Sequence, residues 1–210
     1  MDLEQLKKIN QDVENQTLIS PKFLKKEIIP SVIPLEKGKW IVVDNVASVF
    51  VDLTDSTNLA VGNKYDATSI LGYYARALIE IFEHYNSAYL DYQGDGGFSL
   101  FDGVDSVKKA IDCATTLNTL FNIYKKLDVR IGIDIGSIYV KKVGKRRINK
   151  ELWLGRPVSY SSKLCNLKME GLYSIRISKK VYDLLNYSDR ELCRTYQNFY
   201  HSGMYWSFAK

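Results

Sequence analysis

The chain is poor in the residues that build covalent or soft-metal frameworks. Three cysteines and two histidines occur in 210 residues. Cys113, Cys165 and Cys193 are widely spaced, with no C-x-x-C pair and no cysteine–histidine cluster, which argues against a zinc site and against a disulfide framework. No apolar run reaches the length of a membrane span, so the chain is not expected to be membrane-embedded. The opening MDLEQLKKINQDVENQ is polar and mixed in charge, unlike a secretory signal, and the expected compartment is the cytoplasm. Neither sign of charge dominates: 29 basic against 24 acidic residues leave a formal +5, a modest bias toward anionic partners. Serine hydrolase chemistry has little to stand on, because His84 falls within a helical pattern and His201 in a closing strand. What is present is 46% hydrophobic residue, enough for a sizeable core.

Leu3, Leu6, Ile9 and Val13 recur at helical spacing and predict a short amphipathic helix. Pro21, Pro30 and Pro34 then punctuate an irregular stretch. Residues 1–44 are therefore read as an N-terminal arm offering a dimer contact, and 45–210 as the folded domain. Within it the pattern predicts a buried strand over 47–53, a helix over 66–85, strands over 87–92 and 98–101 joined at Gly94-Asp95-Gly96-Gly97, and a helix over 104–124. Two strands, 129–135 and 137–143, follow with a break at Gly136. A strand over 172–177, a short helix over 179–185 and a closing strand over 198–208 complete the chain. The order β-α-β-β-α-β is that of an α+β, ferredoxin-like core, here with extra C-terminal strands.

That topology bears on one stretch above all. The apolar Val49-Phe50-Val51 delivers a single carboxylate, Asp52, and the hairpin tip carries another, Asp95. A first strand and the neighbouring hairpin bring both to one sheet edge. Clustered acids repel unless one is protonated or a cation lies between them. Magnesium takes one or two carboxylates together with substrate phosphates, and paired ions suit phosphoryl transfer. Thr54, Asp55, Ser56 and Thr57 are helix-opening types whose free backbone N–H groups would hold a phosphate. Between Lys141 and Lys150 six cations fall in ten residues, read either as a solvated hairpin tip or as a phosphate-facing cluster. With no aromatic platform beside them, no stable nucleic-acid partner is expected.

Four stretches in order resemble the class III nucleotidyl cyclase catalytic domain: Phe50-Val51-Asp52-Leu53 with Ser56-Thr57; Gly94-Asp95-Gly96 with Phe101; Arg130 to Gly136; and Gly155-Arg156-Pro157-Val158-Ser159 with Leu164. The resemblance covers roughly residues 48–185. It implies that Asp52 and Asp95, helped by the Leu53 carbonyl, bind two Mg2+ or Mn2+ ions. It also implies that Arg130 grips the triphosphate, and that a homodimer forms composite sites, the metal site of one chain completed by base-reading and transition-state residues of the other, Ser159 and Lys163 among them. The chain departs from the family pattern at those last two positions, where Asn and Arg are usual; Ser has a shorter reach and Lys lacks the fork of donors.

By the same correspondence Asp91 and Leu152 are the base-reading positions, with Tyr92 and Trp153 as bulky neighbours. An ionised Asp91 cannot donate to adenine N1, which disfavours ATP and leaves GTP, UTP and CTP open. The short chain is similar to the pyrimidine cyclases of the bacterial Pycsar anti-phage system. That similarity implies UTP first and CTP second as substrate, and a separate cyclic-nucleotide-activated effector. The alternatives are a guanylate cyclase of the same family and a catalytically degenerate nucleotide-binding dimerisation module. A diguanylate cyclase is disfavoured, because the turn Gly94-Asp95-Gly96-Gly97-Phe98 lacks the paired acid of that signature.

Overall fold

The computed structural model describes residues 2–17, 20–35, 38–54, 56, 64–125, 127–145, 148–167 and 170–207. The elements, in chain order, are α1 (Leu3–Thr17), β1 (Lys22–Lys26), β2 (Lys39–Leu53), α2 (Lys64–His84), β3 (Tyr89–Gln93), β4 (Gly96–Phe101) and α3 (Ser106–Asn118). A π-helical segment, Thr119–Lys125, prolongs α3. There follow β5 (Val129–Lys145), β6 (Ile148–Leu154), α4 (Arg156–Cys165), β7 (Ile175–Ser178), α5 (Lys179–Leu184), α6 (Tyr187–Glu191), β8 (Arg194–Tyr196) and β9 (Phe199–Ser202).

One sheet runs β3-β4-β2-β5-β7-β9-β8, with β1 added to β2 and β6 added to β5. Its first four strands stand in the ferredoxin-like order, the β3–β4 hairpin lying beside β2, as the β-α-β-β-α-β pattern requires. The two faces bury different sets. Val49, Val51, Ile131 and Ile133 pack beneath Tyr74, Leu78 and Phe82 of α2 and Ala110, Ala114 and Leu117 of α3. These helical residues recur three or four apart, which makes each stripe face the sheet. On the other face lies α4, and beyond it a second cluster gathers Ile29, Ile33, Val43, Ile138 and Val140 with Val158 of α4.

Three expectations need correction. Strand β5 is continuous through Gly136, where no break occurs. A side-chain carbon at Gly136 would meet Pro157 at 3.2 Å, so the glycine serves the close seat of α4 and does not end the strand. The region before residue 45 is not all outside the sheet: β2 begins at Lys39, β1 pairs with it in parallel from Lys22↔Lys39 to Lys26↔Val43, and Ile29 and Ile33 are buried. The predicted closing strand is only Phe199–Ser202, after which residues 203–207 are irregular.

Helix α4 is held unusually close. A methyl placed on Gly132 would lie 2.0 Å from the Ser161 carbonyl oxygen and 2.6 Å from the Cys165 nitrogen. Ser161 donates to Ser48 across the gap at 3.0 Å, and the Cys165 thiol donates to the Arg130 carbonyl at 3.1 Å. At its C-terminus the buried Arg176 donates to the carbonyls of Leu164, Cys165 and Leu167 at 3.0, 3.0 and 2.6 Å, satisfying acceptors that the helix itself leaves open.

Candidate active site

The first carboxylate stands where β2 runs out. Asp52 is paired in register with Gly96 of β4 on one side and Arg130 of β5 on the other. Strand alternation turns it, with Phe50, toward the α4 face, since Val49, Val51 and Leu53 point into the α2–α3 core. The second stands at the hairpin tip. The Leu53 N–H donates to the Asp95 carbonyl at 3.1 Å, which ties the tip to the end of β2. Gly94 before it has φ of 64°, a left-handed turn conformation that glycine takes without strain.

Asp52, Asp91 and Asp95 line one cleft of about 330 Å3, walled by Phe50 and Phe98, Gly96 and Gly97, Ser162 and Cys165 of α4, and Asn166 at the helix's C-cap. Phe50 and Phe98 stack with centroids 5.0 Å apart and form its apolar side. Arg130 donates from Nη2 to Asp52 Oδ2 at 2.8 Å. The Ser56 hydroxyl donates to Asp95. Each acid thus faces a hydrogen-bond donor, and one of the donors is a cation, which is what repulsion between clustered carboxylates calls for. Burial pushes the Cys165 thiol up to about 12, with the Asp52 charge adding to it, so this cysteine is a neutral wall and not a nucleophile. The Tyr92 hydroxyl is raised first by burial and then by Asp95, and remains a phenol.

The donor set is hard oxygen. Among the described residues no three acidic, histidine or cysteine side chains converge on one point. Two carboxylates are nonetheless a fitting set for magnesium when substrate phosphates supply the remaining oxygens. A side-chain carbon at Gly96 would meet the Val51 carbonyl oxygen at 3.2 Å, so the glycine serves the close pairing of β4 with the end of β2. Asp52 and Asp95 are the residues that would hold such ions.

The other predicted site residues divide. Arg130 and Asp91 join the acids. The Thr54 N–H donates to the Asp128 carbonyl at 2.8 Å, and its hydroxyl is buried with no hydrogen-bond partner among the described residues. Asp55 and Thr57 lie outside the described residues. The ring of Tyr92 packs toward Tyr74, 6.4 Å between centroids, on the core side of β3. Trp153 packs on Tyr89 at 4.4 Å, within the second apolar cluster. Leu152, one residue earlier, alternates to the other face of β6 and is 38% exposed, so it does not share the face of Asp91. Ser159 and Lys163, one helical turn apart on α4, are both exposed and do not line the cleft of their own chain. Of the basic cluster, Lys142 faces Glu151 at 3.6 Å and Lys141 lies over the Trp40 ring at 4.6 Å, while Arg146 and Arg147 lie outside the described residues. Ser162 and Asn166 line the cleft and were not singled out in the sequence; they become visible only once α4 is recognised as a helix.

The architecture defines a class. The fold is that of the class III nucleotidyl cyclase catalytic domain. The adenylyl cyclase CyaB from Pseudomonas aeruginosa superposes with a TM-score of 0.66 at 18% identity, covering 78% of this chain and 95% of that one. A class III adenylyl cyclase-like ATP-binding protein from the same organism gives 0.67 at 18% identity, covering 87% and 42%. Curated relatives are more particular. A uridylate cyclase from Propioniciclava tarda is 29% identical over 182 residues, 79% of this chain and 57% of that protein. Another, from Micromonospora echinofusca, is 28% identical over 173 residues, 74% and 56%. The chain spans a little over half the length of these two relatives. No protein-family model matches the chain.

Proposed function

We propose that this chain is a nucleotidyl cyclase that converts UTP, and secondarily CTP, into the 3′,5′-cyclic monophosphate and pyrophosphate. The observation that carries the reading is that Asp52 and Asp95 line one cleft, with Arg130 on Asp52. The similarity to uridylate cyclases supports the choice of base. Two Mg2+ or Mn2+ ions, when bound, would lower the pKa of the ribose 3′-hydroxyl and hold the triphosphate. Asp52 and Asp95 place negative charge where those ions are needed. Arg130, turned from Asp52 toward the phosphates, grips them with two parallel N–H donors. The partner's Asp91 accepts from uracil N3–H, an atom that adenine replaces with an acceptor. Phe50 and Phe98 give the cleft a dry wall that strengthens each of these contacts.

The reaction needs a second chain. Ser159 and Lys163 face outward, so they serve the cleft of a partner copy, Ser159 orienting the ribose and Lys163 offsetting charge that grows on the phosphates. A homodimer then holds two composite sites. Lysine in place of the usual arginine keeps the charge but not the fork, which lowers the rate without removing it. The product acts as a cytoplasmic second messenger in anti-phage defence, read by a separate effector.

The test offers ATP, GTP, CTP and UTP separately with magnesium or manganese and identifies products by mass spectrometry. Cyclic UMP as the main product is expected. Cyclic GMP would keep the chemistry and overturn the pyrimidine reading. Nucleotide binding without pyrophosphate release would turn the chain into a nucleotide-binding module, the reading that its departures at Ser159 and Lys163 favour.

A further inference from the structure

A second cleft lies toward the other end of β2, about 20–25 Å along the strand from Asp52 at the usual rise per residue. It holds about 930 Å3 between the segment after β1, the bulged part of β2, the start of α3 and the end of α5. Its walls are tied in place: the Ile29 N–H donates to Asp102 at 2.6 Å, and the Ser106 hydroxyl donates to the Asn45 carbonyl at 2.8 Å. Ile111, Ile135 and Leu185, all buried, make an apolar floor. Three more aliphatic side chains stand uncovered on the walls: Val104 is fully exposed, Leu184 60% and Ile28 59%. Around them are five carboxylates, Glu27, Asp44, Asp105, Asp112 and Asp189, and a single lysine, Lys108. Lys108 is paired with Asp112, and Lys25 with Asp44. Among the described residues no cation holds Glu27 or Asp105.

We propose that this cleft docks a basic peptide segment of another protein, one whose aliphatic side chains are flanked by lysine or arginine. Apolar side chains exposed together and rimmed by polar groups mark contact sites for other macromolecules. Charge selects the kind. The whole chain carries +5, so the acidic rim is a local reversal of its sign. Such a rim repels phosphate, which disfavours nucleic acid and an anionic lipid surface, and it steers cationic partners inward. A basic amphipathic segment meets both features at once. Its aliphatic side chains cover Val104, Leu184 and Ile28, and its cations face Glu27 and Asp105 at the rim, the usual division between the centre and edge of an interface. The cleft shares no residue with the one that holds Asp52 and Asp95, so docking leaves the nucleotide site open.

Fluorescence polarisation of a labelled amphipathic peptide of lysine and leucine, titrated with the full chain in the absence of nucleotide, tests the surface. Saturable binding that weakens as salt rises is expected. Val104→Ser/Leu184→Ser is expected to raise the dissociation constant about tenfold or more, because two aliphatic contacts are lost. Glu27→Lys/Asp105→Asn is expected to raise it about fivefold at low salt. All four side chains are exposed, and Asp105 makes no side-chain capping bond to α3, so the thermal midpoints should stay at the parent value. The same peptide with glutamate in place of lysine should not compete. A parent that does not bind, a constant unmoved by either double variant, or equal competition by the acidic peptide overturns the proposal. Self-association of the parent that Val104→Ser/Leu184→Ser abolishes in sedimentation velocity also overturns it, by giving the cleft to a second copy. With no nucleotide present, each result holds whatever substrate the catalytic cleft takes.

Discussion

Replacing Asp52 by Asn is expected to lower cyclic-nucleotide formation from UTP by at least about a hundredfold, the scale on which active sites depend on a single preorganised electrostatic group. The substitution keeps the shape of the side chain and removes its charge, so a metal ion loses an anionic ligand. It also leaves Arg130, whose side chain is only 13% exposed, without its carboxylate partner. An uncompensated, largely buried cation destabilises the fold, so a lower thermal midpoint should accompany the lost activity. Asp95→Asn separates the two effects, because among the described residues Asp95 is held by the Ser56 hydroxyl and not by a cation. It should lose activity to a similar degree with a smaller change in midpoint. Pyrophosphate release that survives either substitution at the parent rate would remove the paired-carboxylate role.

The second large effect comes from a residue with no side chain. Gly132→Ala places a carbon within 2.6 Å of two backbone atoms of α4, the Ser161 oxygen and the Cys165 nitrogen. Backbone cannot rotate away as a flexible side chain can, so the helix must lift from β5. Overpacking of this severity costs about 3 kcal/mol. For a chain of this size that corresponds to a fall in midpoint of roughly 6–12 °C, at about 2–4 °C per kcal/mol. Because Ser162, Cys165 and Asn166 ride on the same helix, the cleft widens as the helix lifts, and the apparent affinity for nucleotide should fall even well below the new midpoint. Differential scanning fluorimetry with a nucleotide titration reads both; a midpoint within a degree of the parent would show that α4 is not pinned at Gly132.

The sequence made the acids legible because each is announced by its neighbours. An apolar strand that ends on Asp52 and a glycine-rich turn around Asp95 come to one sheet edge in a β-α-β-β-α-β core. Arg130 was legible through the family pattern, not through its own surroundings. Helix α4 was harder to see: RPVSYSSKLC combines a proline, three serines and a β-branched valine, all of weak helical preference, and it is held by tertiary contact through Gly132 and Arg176. Gly136 read as a strand break because glycine usually weakens a strand, whereas here it admits Pro157. The facing of Leu152 could not be read from correspondence alone, since a strand reverses face at every residue and its pairing with β5 sets which face is inward. Strand β1, KFLKK, has no buried position and so no burial alternation to detect.

That short strand has a consequence for solubility. It covers one side of the N-terminal half of β2 and, among the described residues, presents its own far side unpaired. An open strand edge of this kind is a template on which further copies can stack and grow into fibres. Lys22, Lys25 and Lys26 stand along it, with Lys25 anchored to Asp44 at 2.6 Å. Two such edges brought together would oppose lysine to lysine, so the sheet resists extension from this flank.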